Sequence, residues 1–302
     1  MGAVPVPDTA PLTAGDLLTL TELRNLRRTS VLRGAGLVVH AWAVIAGAMA
    51  LYAAWPSWLT LAVAVPVIGG RQLGLAVLMH EAAHWLLFPG HPANAPVGAW
   101  LCGHPVGGDL RAYRRRHHLH HRHTGGPEDP DLDCGAATRG GRRAFWLGVA
   151  RDLSGLTACA WVLRQRPWRT DAPPLRGVLV ANAVLFGALA ALGQWPLYLL
   201  LWLLPLATWY PLAARLRDLA EHGRVGGAAD PLRNARTTAA GWPARALLAP
   251  YWVNHHLEHH LLVFVPCWRL RDAHRLLLAK GHGPRMELAP GYAAVVRKAT
   301  AP

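Results

Sequence analysis

The stretch LTLAVAVPVIGGRQLGLAVLMHEAAH, residues 59–84, joins a long apolar run to a pair of histidines. A helix needs about 20 apolar residues to cross the hydrocarbon core of a bilayer, and residues 59–79 supply them. Residues four apart on a helix lie on one face, so His80 and His84 can reach the same metal ion. The stretch therefore predicts a membrane span that ends in metal ligands.

The composition of the whole chain agrees with a membrane protein. Of its 302 residues, 52% are of apolar types and only 16% are charged, which excludes a lone soluble domain or a disordered chain. The net charge of +14 is mostly arginine. In a membrane protein such a charge indicates arginine-rich cytoplasmic loops rather than nucleic-acid binding. The four cysteines form no CxxC pair, so neither a disulfide framework nor a zinc ribbon is expected.

Apolar stretches and arginine placement together predict the topology. We expect spans at residues 34–54, 59–79, 177–193 and 196–210. The tight turns between the members of each pair carry no lysine or arginine, whereas the rest of the chain outside the spans is rich in arginine. The positive-inside rule then places both termini and the central loop in the cytoplasm. The prediction is an integral protein of the bacterial inner membrane, with the active site on the cytoplasmic side.

The predicted fold is all-α, with four transmembrane helices in two hairpins and a cytoplasmic helical cap that holds the metal site. It forms one domain, with a cytoplasmic arm over 1–33, a catalytic membrane region over 34–280 and a tail over 281–302. Residues 144–164 carry Arg151 and Asp152 at their centre and are interpreted as an interfacial helix rather than a fifth span. Arg71 and Gln72 lie within a span, where polar groups must face protein, and interhelical hydrogen bonds are favoured over a substrate contact.

Histidines form three groups along the chain. The first is the HxxxH pair described above, and the other two read HxxHH. Positions i, i+3 and i+4 cover about a 100° arc of a helix, so three imidazoles project together. Eight or nine imidazoles exceed the needs of one four-coordinate zinc ion, and they suit two metal ions of the type that activates oxygen, such as iron. The HxxHH groups are His117, His120 and His121, and His256, His259 and His260.

Two other function classes stay open at this point. Residues 80–84 match HExxH, the zinc metalloprotease motif in which the glutamate is the general base. An intramembrane zinc protease would leave both HxxHH groups without a role, and Glu81 is better interpreted as a carboxylate that orients a ligand imidazole. A non-catalytic metal-binding or metal-transport protein is the remaining alternative.

The three boxes, in this order and with hairpins between them, resemble the membrane fatty-acid desaturase superfamily. Tyr113-Arg114 before the second box, the run 127–131 (PEDPD) after it, and Val265-Pro266 after the third box are similar to the family pattern. The resemblance covers roughly residues 35–280. It implies a non-haem di-iron site that uses O₂ and two electrons to desaturate or hydroxylate a C–H bond of a lipid or fatty-acyl substrate. Carotenoid hydroxylases and ketolases belong to the same superfamily and form the main alternative.

The resemblance also implies an electron donor of the ferredoxin or cytochrome b5 type, with its reductase. The chain shows no flavin, haem or dinucleotide-binding motif, so we expect this donor to be a separate protein. Arginines around the second box could dock an acidic carrier, although topology and anionic lipid already explain their charge.

Ligand choice within the boxes is not settled by helix geometry, which excludes neither His118 nor His255. The family pattern selects His117 and His256, because Thr124 and Pro266 then fall at the family's offsets. Residues 217–223 resemble the extra histidine element of some members and imply His222 as a ligand; the alternative is a histidine that stabilises a helix C-terminus. His118, His123 and His255 are then outer or surface groups. The implied ligands are His80, His84, His117, His120, His121, His222, His256, His259 and His260.

Carboxylates near the boxes are candidate catalytic groups, because neutral imidazoles leave the charge of a metal pair uncompensated. For the two aspartates, a turn-forming role around Pro130 is equally open. The candidates are Glu81, Asp129, Asp131, Glu258 and Glu221.

Overall fold

The computed structural model describes residues 12–132, 141–165, 175–225 and 230–301, and these residues are mostly helical. A pair of two-residue strands, β1 (Thr237–Thr238) and β2 (Leu288–Ala289), forms a parallel sheet. The helices in chain order are α1 (Ala14–Leu17), α2 (Leu20–Leu26), α3 (Val31–Ala54), α4 (Trp58–Ala83), α5 (Asn94–Val97), α6 (Leu110–His123), α7 (Gly141–Leu153), α8 (Leu156–Gln165), α9 (Arg176–Ala191), α10 (Trp195–His222), α11 (Trp242–Leu247), α12 (His256–Leu261), α13 (Leu270–Ala279) and α14 (Tyr292–Thr300).

Three helices of the described residues, α3, α4 and α10, are long and apolar enough to cross a membrane. Both α4 and α10 extend further than predicted, and they end at or beside histidines of the boxes. Helix α9, predicted as a span, is apolar but has only 16 residues, fewer than the roughly 20 that a perpendicular crossing needs. A helical membrane protein is therefore confirmed, whereas the fourth span, the hairpins and the cytoplasmic cap stay predictions.

Helix α4 lies at the centre of the fold and packs against α3, α6, α10 and α11. Small residues on α4 allow the close approach of α11. A Cβ atom at Gly70 would lie 2.7 Å from the carbonyl oxygen of Ala246 and 3.0 Å from the Cα of Leu247. Real Cβ atoms essentially never approach a backbone atom as closely as the 2.7 Å to Ala246, so a larger side chain at residue 70 would push α11 away from α4.

The two polar residues inside α4 make interhelical hydrogen bonds, as the sequence indicated. The guanidinium Nη2 of Arg71 donates to the carbonyl oxygens of Arg245 and Ala246, at 3.2 and 2.7 Å. The amide of Gln72 donates to the carbonyl oxygen of Trp202 at 2.8 Å. Arg71 thus meets the last carbonyls of α11, where a cation is favourable, and both side chains are buried in protein rather than in lipid.

Residues 144–164 form two helices rather than the single interfacial helix that was predicted. The chain turns between α7 and α8 at Gly155, which has a φ of +78°, a conformation that glycine adopts without steric cost. Asp152, at the centre of the predicted helix, is fully buried and forms an ion pair with Arg215 of α10. Helix α7 packs on α10 at this point, and the ion pair compensates the buried charge of Asp152 in the contact.

Topology can be tested by labelling single cysteines in a variant whose Cys134 and Cys159 are replaced by serine. We expect a membrane-impermeant maleimide, added to intact cells, to react at Ser57→Cys and Gln194→Cys, which lie in turns without basic residues. The exposed control position Arg111→Cys on α6 is expected to react only after the cells are opened. Reaction of that control in intact cells would contradict the cytoplasmic placement of the histidines.

Candidate metal centre

Four segments that are distant in sequence bring the histidine boxes together. Helix α4 carries the first box at its C-terminal end, α6 carries the second, and α10 ends at His222. Asp109 is the N-cap residue of α6. Its carboxylate accepts a hydrogen bond from the backbone N–H of Ala112 at 2.7 Å. This cap fixes the start of α6, and with it the direction in which its histidines project.

The third box lies on the short helix α12, which is held by its surroundings rather than by its length. Tyr251 and Trp252, just before it, have φ values of +55° and +60°, a left-handed conformation that is costly for aromatic residues. The side-chain amide of Asn254 donates to the carbonyl oxygen of Thr238 at 3.0 Å, and Thr237 bridges His255 in antiparallel fashion. Strand β1 therefore helps to position the third box.

The nine histidines implied as ligands fall into two adjoining groups, and the ligand atoms within each group lie within 4.8 Å of one another. The rings of His121 and His260, one from each group, have centroids 4.3 Å apart. The five-histidine group contains His80, His84, His117, His121 and His259, and the four-histidine group contains His120, His222, His256 and His260.

Ring nitrogens within each group approach one another closely. In the five-histidine group, the Nε2 of His259 lies 2.9 Å from that of His80 and 3.1 Å from that of His121. In the four-histidine group, the Nε2 of His256 lies 2.9 Å from that of His222 and 3.1 Å from that of His260. Two nitrogens that each bind one metal ion at about 2.1 Å, with an N–metal–N angle of about 90°, lie about 3 Å apart. The spacing therefore fits metal binding in both groups.

Hydrogen bonds at the Nδ1 atoms of two histidines direct the Nε2 lone pairs of these rings into the groups. The Nδ1 of His120 is 2.8 Å from a carboxylate oxygen of Asp129, and the Nδ1 of His222 is 3.4 Å from the carbonyl oxygen of Asn234. Each acceptor favours a proton on Nδ1, which leaves a lone pair on Nε2 directed into the group. The Nε2 of His84 is buried and has no hydrogen-bond partner among the described residues.

Burial keeps the imidazoles in the neutral form that binds metals. Burial, together with neighbouring cationic or imidazole groups, lowers the pKa of His84 to about 3 and that of His121 to about 2. Burial and the surrounding imidazoles also hold the pKa of His117, His256, His259 and His260 well below the ordinary value. These histidines are therefore neutral at pH 7, with lone pairs available to a cation.

The predicted carboxylates take different places. Asp129 is buried and binds His120. Although burial raises its pKa, hydrogen bonds from His120 and from the backbone N–H groups of Gly125 and Asp131 keep that pKa below the ordinary value. Asp131 lies farther away, at 3.9 Å from the same imidazole, and forms an ion pair with Arg116 at 2.6 Å.

Glu81 and Glu258 mainly contact groups outside the nine histidines. The carboxylate of Glu81 accepts a hydrogen bond from the backbone N–H of Cys267 at 2.9 Å, and it lies 3.6 Å from the Nδ1 of His80. Glu258 is fully buried and accepts hydrogen bonds from Thr237 and His274. Its carboxylate thus points from α12 towards α13 and β1, and its hydrogen-bond partners are not among the nine histidines.

Sequence reasoning missed several contacts of the metal centre. The Oγ1 of Thr124 lies 3.3 Å from the Nδ1 of His260, and the backbone of Asn234 binds His222. Neither is predictable from spacing, because each depends on packing between separate segments. Glu221, in contrast, was a candidate from the sequence. It lies 3.5 Å from the Nε2 of His256 and is held by Arg217 at 2.6 Å, so the structure places this carboxylate beside the four-histidine group.

The histidines outside the predicted set lie outside both groups. His118 is exposed, and His123 contacts Glu128 at 3.0 Å. His255 lies with Glu258 and His274 in a separate cluster. Two arginines of the second box also have structural roles: Arg114 donates to the last carbonyls of α4, at Ala82 and Ala83, and Arg116 pairs with Asp131.

We expect Asp129→Asn to lower metal affinity about 10- to 100-fold, which is typical when a ligating histidine loses its carboxylate partner. The amide can still accept from His120, but it carries no charge to raise the basicity of that ring. Metal retention during dialysis against a chelator measures the change. Asp131→Asn is the matched control, because its carboxylate is paired with Arg116 rather than with the imidazole. Equal retention by both variants would contradict the assigned role of Asp129.

The fold and the site define a helical membrane protein with two histidine groups whose ring nitrogens lie close enough together to hold metal ions. The chain belongs to the fatty acid desaturase family, whose sequence model matches residues 56–288. Members of this family use non-haem iron. The superfamily resemblance of the three histidine boxes is thereby confirmed.

Curated relatives of the chain are desaturases and ketolases. It is 29% identical to the dihydrorhizobitoxine desaturase of Bradyrhizobium elkanii, over 91% of this chain and 80% of the relative. It is 28% identical to a beta-carotene ketolase of Paracoccus sp. (strain PC1), over 86% of this chain and 94% of the relative. A zeaxanthin 4-ketolase of Chlamydomonas reinhardtii is 26% identical, over 92% of this chain and 56% of the relative. These relatives support an oxidoreductase of the desaturase, hydroxylase or ketolase type.

Proposed function

We propose that this protein is an O₂-dependent, non-haem di-iron oxidoreductase that desaturates or hydroxylates a C–H bond of a lipid or fatty-acyl substrate. The observation that carries the proposal is the division of nine buried or half-buried imidazoles into two adjoining groups with nitrogen spacings near 3 Å. One group suits one iron ion, and an all-nitrogen donor set with open positions suits iron that reacts with oxygen.

Each part of the chain has a separate task in this proposal. The nine histidines hold the two ions. His120 donates a hydrogen bond to the carboxylate of Asp129 and His222 donates one to the carbonyl oxygen of Asn234, and these bonds orient the two rings. Iron bound there supplies the O₂-dependent oxidation of the C–H bond. Val77, Val253 and Leu270 line a small cavity of about 10 Å³ beside His80, His256 and His259. These apolar side chains exclude water from that side of the metal centre.

A carotenoid oxidation is the second candidate, because two of the relatives described above are ketolases that act on beta-carotene or zeaxanthin. It uses the same metal centre and differs only in the substrate. The zinc protease alternative receives less support. It needs one zinc ion and a free Glu81, whereas Glu81 is bound to the backbone of Cys267 and both histidines of HExxH lie in the five-histidine group.

Product analysis tests this choice of reaction and substrate. The chain would be expressed in a bacterial host that also makes beta-carotene, and lipids and carotenoids would be analysed by mass spectrometry. New unsaturated or hydroxylated acyl chains are expected, with a mass loss of two hydrogens or a gain of one oxygen. Cells expressing His120→Ala are the negative control, and cells expressing His118→Ala, a neighbouring exposed histidine, are the matched positive control. Oxidised carotenoids with unchanged acyl chains would favour the second candidate.

The source of electrons gives a further expected result. The chain shows no flavin, haem or dinucleotide-binding motif, so purified protein with NADPH alone is expected to show no turnover. Turnover is expected once a ferredoxin or a cytochrome b5 and the matching reductase are added. The consumption of O₂ measures this turnover. Turnover with NADPH as the only addition would contradict the need for a separate donor.

A further inference from the structure

A cavity of about 500 Å³ lies outside the metal centre, between the third box and the C-terminal part of the chain. It is framed by β1, α11, α13 and the segment that contains β2, and none of the nine proposed ligands lines it. Its volume falls in the range of small-molecule sites, about 300–1,000 Å³. The side chains that matter for its chemistry are Arg245, Arg271, His255, His274, Trp252 and Leu288.

Positive charge dominates the cavity. No Asp or Glu lines it, and neither Arg245 nor Arg271 lies within 4.0 Å of a carboxylate in the part of the chain that the structure describes. Both arginines are exposed at the cavity, whereas the more buried Arg215, Arg217 and Arg236 are each paired with an acidic side chain. Two guanidinium groups that share a cavity repel each other unless an anion lies between them.

The nearest carboxylates do not supply that anion. Glu258 lies behind His255 and His274, and its oxygens already accept hydrogen bonds from His274, at 2.7 Å, and from Thr237. Asp272, the sequence neighbour of Arg271, instead lies 3.6 Å from Arg269. Neither acidic group therefore forms an ion pair with Arg245 or Arg271.

Apart from Thr237 and Asn254, the remaining wall of the cavity is apolar. Trp252, Leu288 and Pro290 line it together with small alanine side chains. A ligand with only a charged group would leave this wall in contact with water, whereas a ligand with an apolar body would cover it. An aromatic side chain beside a pair of arginines is typical of sites for small organic anions.

We propose that this cavity is a binding site for an organic anion, a small molecule with a carboxylate or phosphate group on an apolar body. Arg245 and Arg271 donate hydrogen bonds to the anionic group, and Trp252 and Leu288 pack against the apolar body. Trp252, Asn254 and His255 line this cavity, whereas Val253 and His256, from the same segment, line the small cavity beside the metal centre. None of the nine proposed ligands lines the anion site, so binding of the anion requires neither iron nor turnover.

Equilibrium dialysis of the full chain in lipid nanodiscs tests the proposal. The probes are radiolabelled hexanoate, hexyl phosphate, hexanol and inorganic phosphate, with empty nanodiscs subtracted. Saturable binding of hexanoate or hexyl phosphate is expected, with weaker binding of hexanol and of inorganic phosphate. The double variant Arg245→Gln/Arg271→Gln is expected to weaken anion binding at least about tenfold, since a hydrogen bond to a charged group contributes on that order.

Two further variants keep the test specific. Arg275→Gln removes the same charge from the same helix, α13, at an exposed position that does not line the cavity, and its affinity is expected to stay within about twofold of the parent. Ala240→Phe fills the cavity without any change of charge and is expected to abolish binding. The proposal is overturned if neither organic anion binds saturably, if Arg275→Gln weakens binding as much as the double variant, or if inorganic phosphate binds as tightly as hexyl phosphate.

Discussion

Replacement of His259 by alanine is expected to abolish turnover and to remove iron from the purified protein. The Nε2 of His259 lies about 3 Å from those of both His80 and His121, so its loss opens the centre of the five-histidine group. His259 is also the one residue of the third box that reaches this group. Two measurements test this. Elemental mass spectrometry gives the number of iron ions per chain, and O₂ consumption with the electron donor and its reductase gives the turnover.

His118→Ala is the matched control for this variant. It removes an imidazole from the second box at a position whose side chain is exposed and lies outside both groups. Its iron content and turnover are expected to equal those of the parent protein. Normal turnover in His259→Ala would show that the five-histidine group is not the site of the reaction.

His222→Ala is expected to lose about one iron ion per chain or nearly all turnover. His222 is one of only four imidazoles in its group, and its Nε2 lies 2.9 Å from that of His256. A structural histidine that merely stabilises the end of α10 would leave iron binding intact. This variant therefore separates a ligand role from a helix-capping role.

The control for His222→Ala is His123→Ala, which removes an imidazole that lies outside both groups and is 3.0 Å from the carboxylate of Glu128. Both iron ions are expected to stay bound in this control. If His222→Ala keeps normal iron and turnover, the four-histidine group has another ligand in place of His222, and Glu221 is the nearest candidate.

The membrane helices could be predicted from the sequence because their signal is local. An apolar run of sufficient length identifies α3, α4 and α10, whatever surrounds them. The extent of α10 could not be predicted, since its last turns carry Arg215, Arg217 and Asp218, which are polar residues in a helix that continues to His222. Those turns are stabilised by tertiary partners such as Asp152, which lies 63 residues earlier in the chain.

The family pattern selects the nine histidines that lie together in the structure, and their role as metal ligands stays a prediction. Their division into two groups was not predictable. Helix geometry indicates that positions i, i+3 and i+4 project together. In the structure the i and i+4 residues of each HxxHH box share a group, and the i+3 residue crosses to the other one. His120 thus joins the third-box pair, and His259 joins the second-box pair. This exchange of His120 and His259 between the groups depends on the relative orientation of α6 and α12, and no local sequence pattern predicts that orientation.

The cationic cavity was not predictable for the same reason. Its two arginines lie on α11 and α13, and Leu288 lies on β2, so they meet only through long-range packing. His274 gave no local signal either, because its partner Glu258 is 16 residues away on another helix.

Metal analysis of the purified, active protein tests the central claim most directly. Protein from iron-supplied cells should contain about two iron ions per chain and little zinc, because two groups of imidazoles each hold one ion. Mössbauer spectra of the same sample should show the coupled signal of an iron pair. A single tightly held zinc ion per chain, with full turnover, would contradict the claim.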